Sequence, residues 1–341
     1  MRKIIRQTPR PVSKSLLLAL SLLTSVSWAG EPRLGADSPS QDEPRSEVSM
    51  LSRIGWQSLH WEASNFWITA SSRIRLDEVT ADTLSAQTLP ENLMARVADG
   101  GKLLLQRTDS RIASNIEFRT AWMNPEPLAM LQRSRLSYGN NQSRIKHYRQ
   151  LDTGIYRERR ESRETSGPYQ EAQFWTESPI VSPLTRTEDW TVSSRQILQR
   201  PPGLNRTRAL LSPPLLLPAI SLFVAEKSAR QKNFIVQTDL DFFRVIATKK
   251  GFHNLNADHT LTAADGKTTQ VKGKVRALTV QLEVIPFADS PDEPFELLGL
   301  KAPLTVLVEP ESLIPLRLEG KAPRLGASKV RLKAAQLAAD L

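Results

Sequence analysis

The chain contains no cysteine. That excludes a disulfide framework, thiolate metal centres and thiol nucleophiles, and it excludes anchoring through a lipid-modified N-terminal cysteine. The packed core must carry stability alone, which a chain of this length can do. Histidine is scarce: there are four, His60, His147, His253 and His259, and no pair has the spacing of a helical zinc site. The G-x-S-x-G elbow of a serine nucleophile is also missing. No apolar run reaches the roughly 18 residues that a membrane-crossing helix needs.

The clearest apolar run, from Leu16 to about Val26, follows Arg2, Lys3, Arg6, Arg10 and Lys14 without an acid among them. Ser27-Trp28-Ala29 then sets small residues three before and one before a cut at Gly30. This is the three-part layout of a secretory signal peptide. It predicts removal of residues 1–29 and a periplasmic location. Removal takes five basic and no acidic residues, so the net charge falls from +10 to +5. The remaining excess is interspersed and does not mark a nucleic-acid-binding protein. Residues 30–50 are polar and read as a disordered leader. Residues 51–341 read as one β-rich domain with a proline-rich insertion at about 165–215.

Period-two alternation opens that domain. In NFWITASSRIRL, Phe66, Ile68, Ala70, Ile74 and Leu76 share one side, and Trp67, Thr69, Ser71, Arg73 and Arg75 the other. RIASNIEFRTAW repeats the pattern, with Ile112, Ile116, Phe118 and Trp122 against Ala113, Asn115, Glu117 and Arg119. Both predict strands with one buried and one wet face. LQRSRLSY has the length of a third strand. Asp152-Thr153-Gly154 then marks a turn between Ser143–Arg149 and Ile155–Glu161, a predicted hairpin. The stretch 143–164 holds seven basic and four acidic residues. Mixed signs suit cross-strand ion pairs and the surface of a sheet. Arg144, Lys146, Arg157 and Arg159 are its candidate basic surface, suited to peripheral contact with anionic lipid or glycan.

Seven prolines between 165 and 215 speak against continuous regular structure there, and Leu215–Gln231 reads as a helix with Pro218 near its start. Leu222 and Phe223 lie on its apolar stripe. Strands resume with NFIVQTDLDFFRVIAT and a turn at Lys249-Lys250-Gly251. In TQVKGKVRALTVQLEVIP the apolar phase shifts from Val271 and Val275 to Leu278, Val280, Leu282 and Val284, which predicts a bulge near Arg276 and Ala277. LTVLVEP, IPLRLEG and ASKVRLKAA complete the set.

Few residues offer chemistry. Gly266-Lys267-Thr268 lacks the leading glycine of a phosphate loop, since Leu261 stands there, and reads as a hairpin turn. Asp239 and Asp241 share a strand face but have no evident third metal ligand. His253, Asp258 and His259 read as a polar loop. No catalytic residue, metal site or cofactor is assigned.

The segments LLLPAISLF, VRALTVQLEVIP and FELLGLKAPLTVLVEPESLIPLRLEGKAPRLGASKVRL, within about residues 210–335, resemble uncharacterised periplasmic DUF-type β-sheet proteins. The resemblance implies a lipoprotein-carrier-like half-barrel, a curved antiparallel sheet with a helix in its mouth, and no catalytic residues. The strand pattern leads to the same fold class: mostly β, a large curved sheet forming a half-barrel or open barrel, with one or two short helices. One-sided strands need cover, and one short helix covers little, so the sheet must curl. An apolar groove lined by Phe66, Ile68, Ile74, Ile116, Phe118, Trp122, Leu222 and Phe223 is the candidate ligand surface. The leading functional expectation is a non-enzymatic periplasmic protein that binds an apolar or envelope-derived ligand or assists envelope assembly. The alternatives are an envelope hydrolase acting on glycan or peptide, and a structural or partner-binding domain. Oligomeric state is left open.

Overall fold

The computed structural model describes residues 49–64, 69–83, 101–112, 115–139, 142–151, 154–164, 170–178, 183, 185–204, 209–323 and 325–339. They belong to one compact unit, Glu47–Leu341. The predicted signal peptide, almost all of the predicted leader, Phe66, Trp67 and Ile68 lie outside the described residues.

Fifteen strands build a single large curved sheet. In chain order they are β1 (Trp56–Ser64), β2 (Thr69–Thr80), β3 (Lys102–Ile112), β4 (Asn115–Asn124), β5 (Ala129–Tyr138), β6 (Ser143–Gln150), β7 (Gly154–Ser162), β8 (Thr191–Gln199), β9 (Leu210–Leu211), β10 (Gln231–Gln237), β11 (Phe242–Thr262), β12 (Thr268–Pro286), β13 (Lys301–Val308), β14 (Pro315–Ala322) and β15 (Gly326–Leu337). Among the described residues three short α-helices accompany them: α1 (Met50–Ile54), α2 (Glu171–Thr176) and α3 (Leu216–Ala225). Spatially the strands run β8-β7-β6-β5-β4-β3-β2-β1-β15-β14-β13-β12-β11-β10-β9. Thr260–Thr262 of β11 also pair with Ala334–Gln336 of β15, so strands β11 to β15 close a ring.

The curl has the cause that the strand pattern predicts. Inward residues such as Ile74, Leu76, Val280, Leu282, Val306 and Leu318 need an apolar partner, and α3 supplies it within one continuous core. Of the ten residues of α3, eight are buried, including Leu216, Leu217, Ile220 and Phe223 at 0% exposure. Each such side chain stabilises the fold by about 1.5–3 kcal/mol relative to exposure. A helix apolar on all sides belongs inside a core rather than on its rim. Its one polar group there is satisfied: Trp56 Nε1 donates to Ser221 Oγ (2.9 Å), and the Ser221 hydroxyl donates to the Leu313 carbonyl (2.8 Å). The expected extension of the helix to Gln231 does not form. Glu226, Lys227 and Arg230 cannot follow the buried segment inward, and β10 begins at Gln231.

Several boundaries differ from the sequence expectation. NFIVQTDLDFFRVIAT is two strands, β10 and β11, joined by a turn in which Thr238 N donates to the Asp241 carbonyl (2.9 Å). Lys249-Lys250-Gly251 is a bulge within β11: Lys249 opposes Val280 and Phe252 opposes Leu278, leaving two residues against Thr279. That bulge lies level with the phase shift in β12, where consecutive Ala277 and Leu278 are both buried. The segment FHNLNADH is therefore strand, not loop. The proline-rich stretch still contains α2 and the nine-residue β8.

Candidate functional site

The two faces of β4 to β7 are set by register. From Ile74 of β2, the residues directly opposite one another run Thr108, Arg119, Arg135, Lys146, Arg159 and Ser194. Ile74 belongs to the core around α3, so this row lies on the inner face. It places four cations on four adjacent strands, each directly across from the next. Like charges in that position repel. The neighbouring inner row runs Gln106, Ala121, Arg133, Tyr148, Arg157 and Gln196. The row on the other side carries Glu117, Ser137, Arg144 and Glu161. Seven cations thus share this face with three carboxylates of their own strands and of one docked turn.

That turn is Thr238–Asp241, between β10 and β11. The Asp239 carboxylate, 5% exposed, pairs with Arg135 (3.1 Å), with Arg133 (3.8 Å) and with Lys146. Arg133 also donates to the Thr238 carbonyl and lies 3.8 Å over the Tyr148 ring. The turn is clamped from behind: Glu293 accepts from the backbone of Asp239 and Leu240, and its own N–H donates to Asp241 Oδ2 (3.0 Å). Glu117 bridges Arg119 and Arg135. Burial alone would raise the pKa of both carboxyls. The guanidinium groups reverse this, Arg135, Arg133 and the Lys146 ammonium for Asp239, Arg119 and Arg135 for Glu117, and hold both below the ordinary carboxylate range. The Tyr148 phenol is pushed up by its burial.

The cations are not sealed off. Side-chain exposure is 29% for Arg119, 33% for Arg135, 31% for Arg159 and 18% for Lys146. A small cavity of about 10 Å³, room for roughly one water, adjoins the ladder between Gln106, Thr108, Arg119, Arg133 and Ser212.

The structure gathers the basic candidates and separates the apolar ones. Arg144, Lys146, Arg157 and Arg159 all line the inner face, and Arg157 is buried at 6% exposure. Ile74 and Phe223 join the core around α3, with Leu222 packed against it. Ile116 and Phe118 are turned the other way, because Phe118 opposes Asp109, which opposes Arg73. They pack under Phe174 and Trp175 of α2 and under Trp190. The Arg107 guanidinium fixes that cover by donating to the carbonyls of Phe174, Trp175 and Glu177 (3.1–3.3 Å). Trp122 joins a third cluster with Leu103 and Leu105.

His253, Asp258 and His259 lie on β11, His253 exposed and His259 buried. Asp239 and Asp241 precede the opposite end of that strand, beyond extended chain at about 3.3 Å per residue. The two sets do not converge. Among the described residues no group of three His, Cys, Asp or Glu side chains could hold a metal ion. Sequence reasoning missed Arg119, Arg133 and Arg135 and the docking of Asp239 on the last two. The available signal was the Arg-x-Arg spacing at 133/135 and 157/159, which sends both arginines to one face.

No family model matches the chain, and no curated protein matches it. Among solved structures it is similar to the crystal structure of a beta-barrel-like protein of domain of unknown function DUF1849 from Brucella abortus, at 7% sequence identity and a TM-score of 0.39, covering 83% of this chain and 97% of that one.

Proposed function

We propose that this chain is an exported, non-enzymatic envelope protein that binds a phosphate-bearing envelope component on the basic ladder Arg119–Arg135–Lys146–Arg159. The carrying observation is the ladder itself. Each directly opposed like-charge pair costs about 0.2–1 kcal/mol, and three such pairs stand in a row. Glu117, Asp239 and Glu161, the last paired with Arg159 and Arg144, offset only part of the charge. An anion laid across the row would offset the rest, and guanidinium groups suit phosphate oxygens.

The layout of residues 1–29 supports export to the periplasm. A sheet curled around α3 supports the likeness to a lipoprotein-carrier half-barrel drawn from residues 210–335. The helix occupies the apolar interior, so the ligand is read by charge rather than by an oily groove.

The test compares vesicles of phosphatidylcholine with vesicles that also contain phosphatidylglycerol, and adds glycerol phosphate as a soluble probe. Binding is expected only where phosphate carries net negative charge, and it should fall as salt rises. The pair Arg119→Ser/Arg159→Ser removes two partly exposed cations. At about 1 kcal/mol each it should weaken binding about thirtyfold while the variant still unfolds cooperatively. Equal binding to both vesicle types, with no response to glycerol phosphate, would refute the proposal. N-terminal sequencing of the exported protein should begin at Gly30.

A further inference from the structure

We propose that β8 is a self-association strand, which pairs antiparallel with β8 of a second copy about a two-fold axis at Arg195. This inference does not depend on anion binding.

The two ends of the sheet differ. One is β9, two residues long; the other is β8, nine residues long. The outward backbone groups of β8 have no ladder partner among the described residues. Sheet edges are ordinarily blunted by shortness, proline or charge. Between Thr191 and Gln199 there is no proline, and Arg195 is the one charged residue. Seven of the nine residues are exposed. Val192 (39% exposed) and Ile197 (41%) are two of the six exposed large apolar side chains among the described residues.

The pattern along β8 selects the occupant. A two-fold interface must be complementary to itself. Ser194 opposes Arg159 while Val192 opposes Arg160, so Ser193 is an extra, bulged residue. The bulge turns Val192 to the same face as Arg195 and Ile197, which oppose Glu158 and Tyr156. On that face the order is therefore apolar, arginine, apolar, with Val192 and Ile197 each two ladder places from Arg195. Antiparallel pairing centred on Arg195 sets Val192 against Ile197 of the second copy, and Ile197 against its Val192. On the opposite face Ser194 meets Gln196 in both directions. Arg195 meets its own image, but each guanidinium already pairs with the buried Glu158 of its own chain (2.7 Å).

Sedimentation velocity on the purified chain should show a monomer–dimer equilibrium. The pair Val192→Lys/Ile197→Lys should raise the dissociation constant at least about tenfold, with the monomer still unfolding cooperatively. Phe252→Lys, at another exposed apolar position, should leave it unchanged. The absence of cysteine gives a clean second measurement. Residues on the two-fold axis of an antiparallel pair have Cα atoms about 4.5–5.5 Å apart, within reach of a disulfide. Arg195→Cys should therefore form a disulfide-linked dimer under mild oxidation, and Val192→Cys alone should not. A monomer at every concentration, a dimer indifferent to the paired lysines, or equal cross-linking by both cysteine variants would overturn the proposal.

Discussion

Mild acid should destabilise this protein through His147. The imidazole is 1% exposed and lies between Ser134 and Glu158, on the face of β6 turned away from α3. Burial disfavours its protonated form most strongly. Glu158 opposes that effect, and Arg149, Arg160 and Arg133 reinforce it, so the pKa is pushed down to about 3. The unfolded chain titrates near the ordinary value of about 6.5. Between these limits the unfolded state binds the extra proton, so stability rises with pH. The contribution is complete above about pH 6.5 and is lost progressively as pH falls toward 3. From pH 7 to pH 5 the linkage amounts to about 2 kcal/mol. His259 shifts in the same direction through its own burial. Asp239, Glu117 and Glu158 are held below their ordinary range, so their contributions fade only below about pH 5. The window from pH 5 to 7 therefore isolates the histidines. Urea unfolding at pH 7, 6 and 5 measures the effect. His147→Gln cannot take up the proton and should lose about 2 kcal/mol less than wild type across that window, whatever its stability at pH 7. Parallel pH dependences for the two proteins would refute the reasoning.

Ser221→Ala leaves Trp56 Nε1 and the Leu313 carbonyl without their shared partner, and chemical denaturation should report a loss of about 1–3 kcal/mol. Asp239→Asn removes the buried counter-ion of Arg133, Arg135 and Lys146. It should cost about 3–5 kcal/mol at neutral pH, flatten the acid loss of stability below about pH 5, and tighten the binding of anionic vesicles. Gly154→Ala would set a Cβ 2.5 Å from the Leu198 carbonyl. Forcing β7 from β8 should cost about 1–3 kcal/mol in thermal unfolding and weaken dimerisation.

Period-two alternation made the strands and the curl legible, because a run such as Leu278–Val284 has few other ways to hide its apolar side. The bulge could be anticipated for the same reason: a phase shift within one run has to be absorbed somewhere. What alternation does not encode is which face of one strand continues which face of the next. Ile74 and Phe118 each headed an apolar row, yet Arg119, not Phe118, continues the row of Ile74. The outer face of β4 and β5 is apolar because α2 and Trp190 cover it, and that cover comes from the proline-rich stretch, where local signals favour irregular chain. Arg135 and Lys146 became a site through a partner about a hundred residues away. Asp239 read only as half of a carboxylate pair without a third metal ligand, because nothing nearby in sequence announces that its turn docks on β5 and β6.

The two parts of the sheet rest on different physics. From β10 to β15 the inner face is apolar and closes on α3, so hydrophobic burial holds it. From β4 to β7 the inner face is cationic. It is tied to the rest of the molecule through pairing of β4 with β3, through Ala121, Met123 and Met130 in the core around α3, through the Asp239 turn, and through a small apolar cluster in which Tyr148 and Ile155 meet Leu210, Ile235 and Phe242. Repulsion within the ladder therefore acts on β4 to β7 and not on the ring. An anion that relieves it stabilises those strands more than the ring, since a ligand stabilises the state that binds it and local opening energies differ across a fold. Under the proposed anion binding, occupancy of the ladder and order in β4 to β8 form one equilibrium. Because β8 lies at the far side of these same strands, tighter anion binding and firmer self-association should rise together.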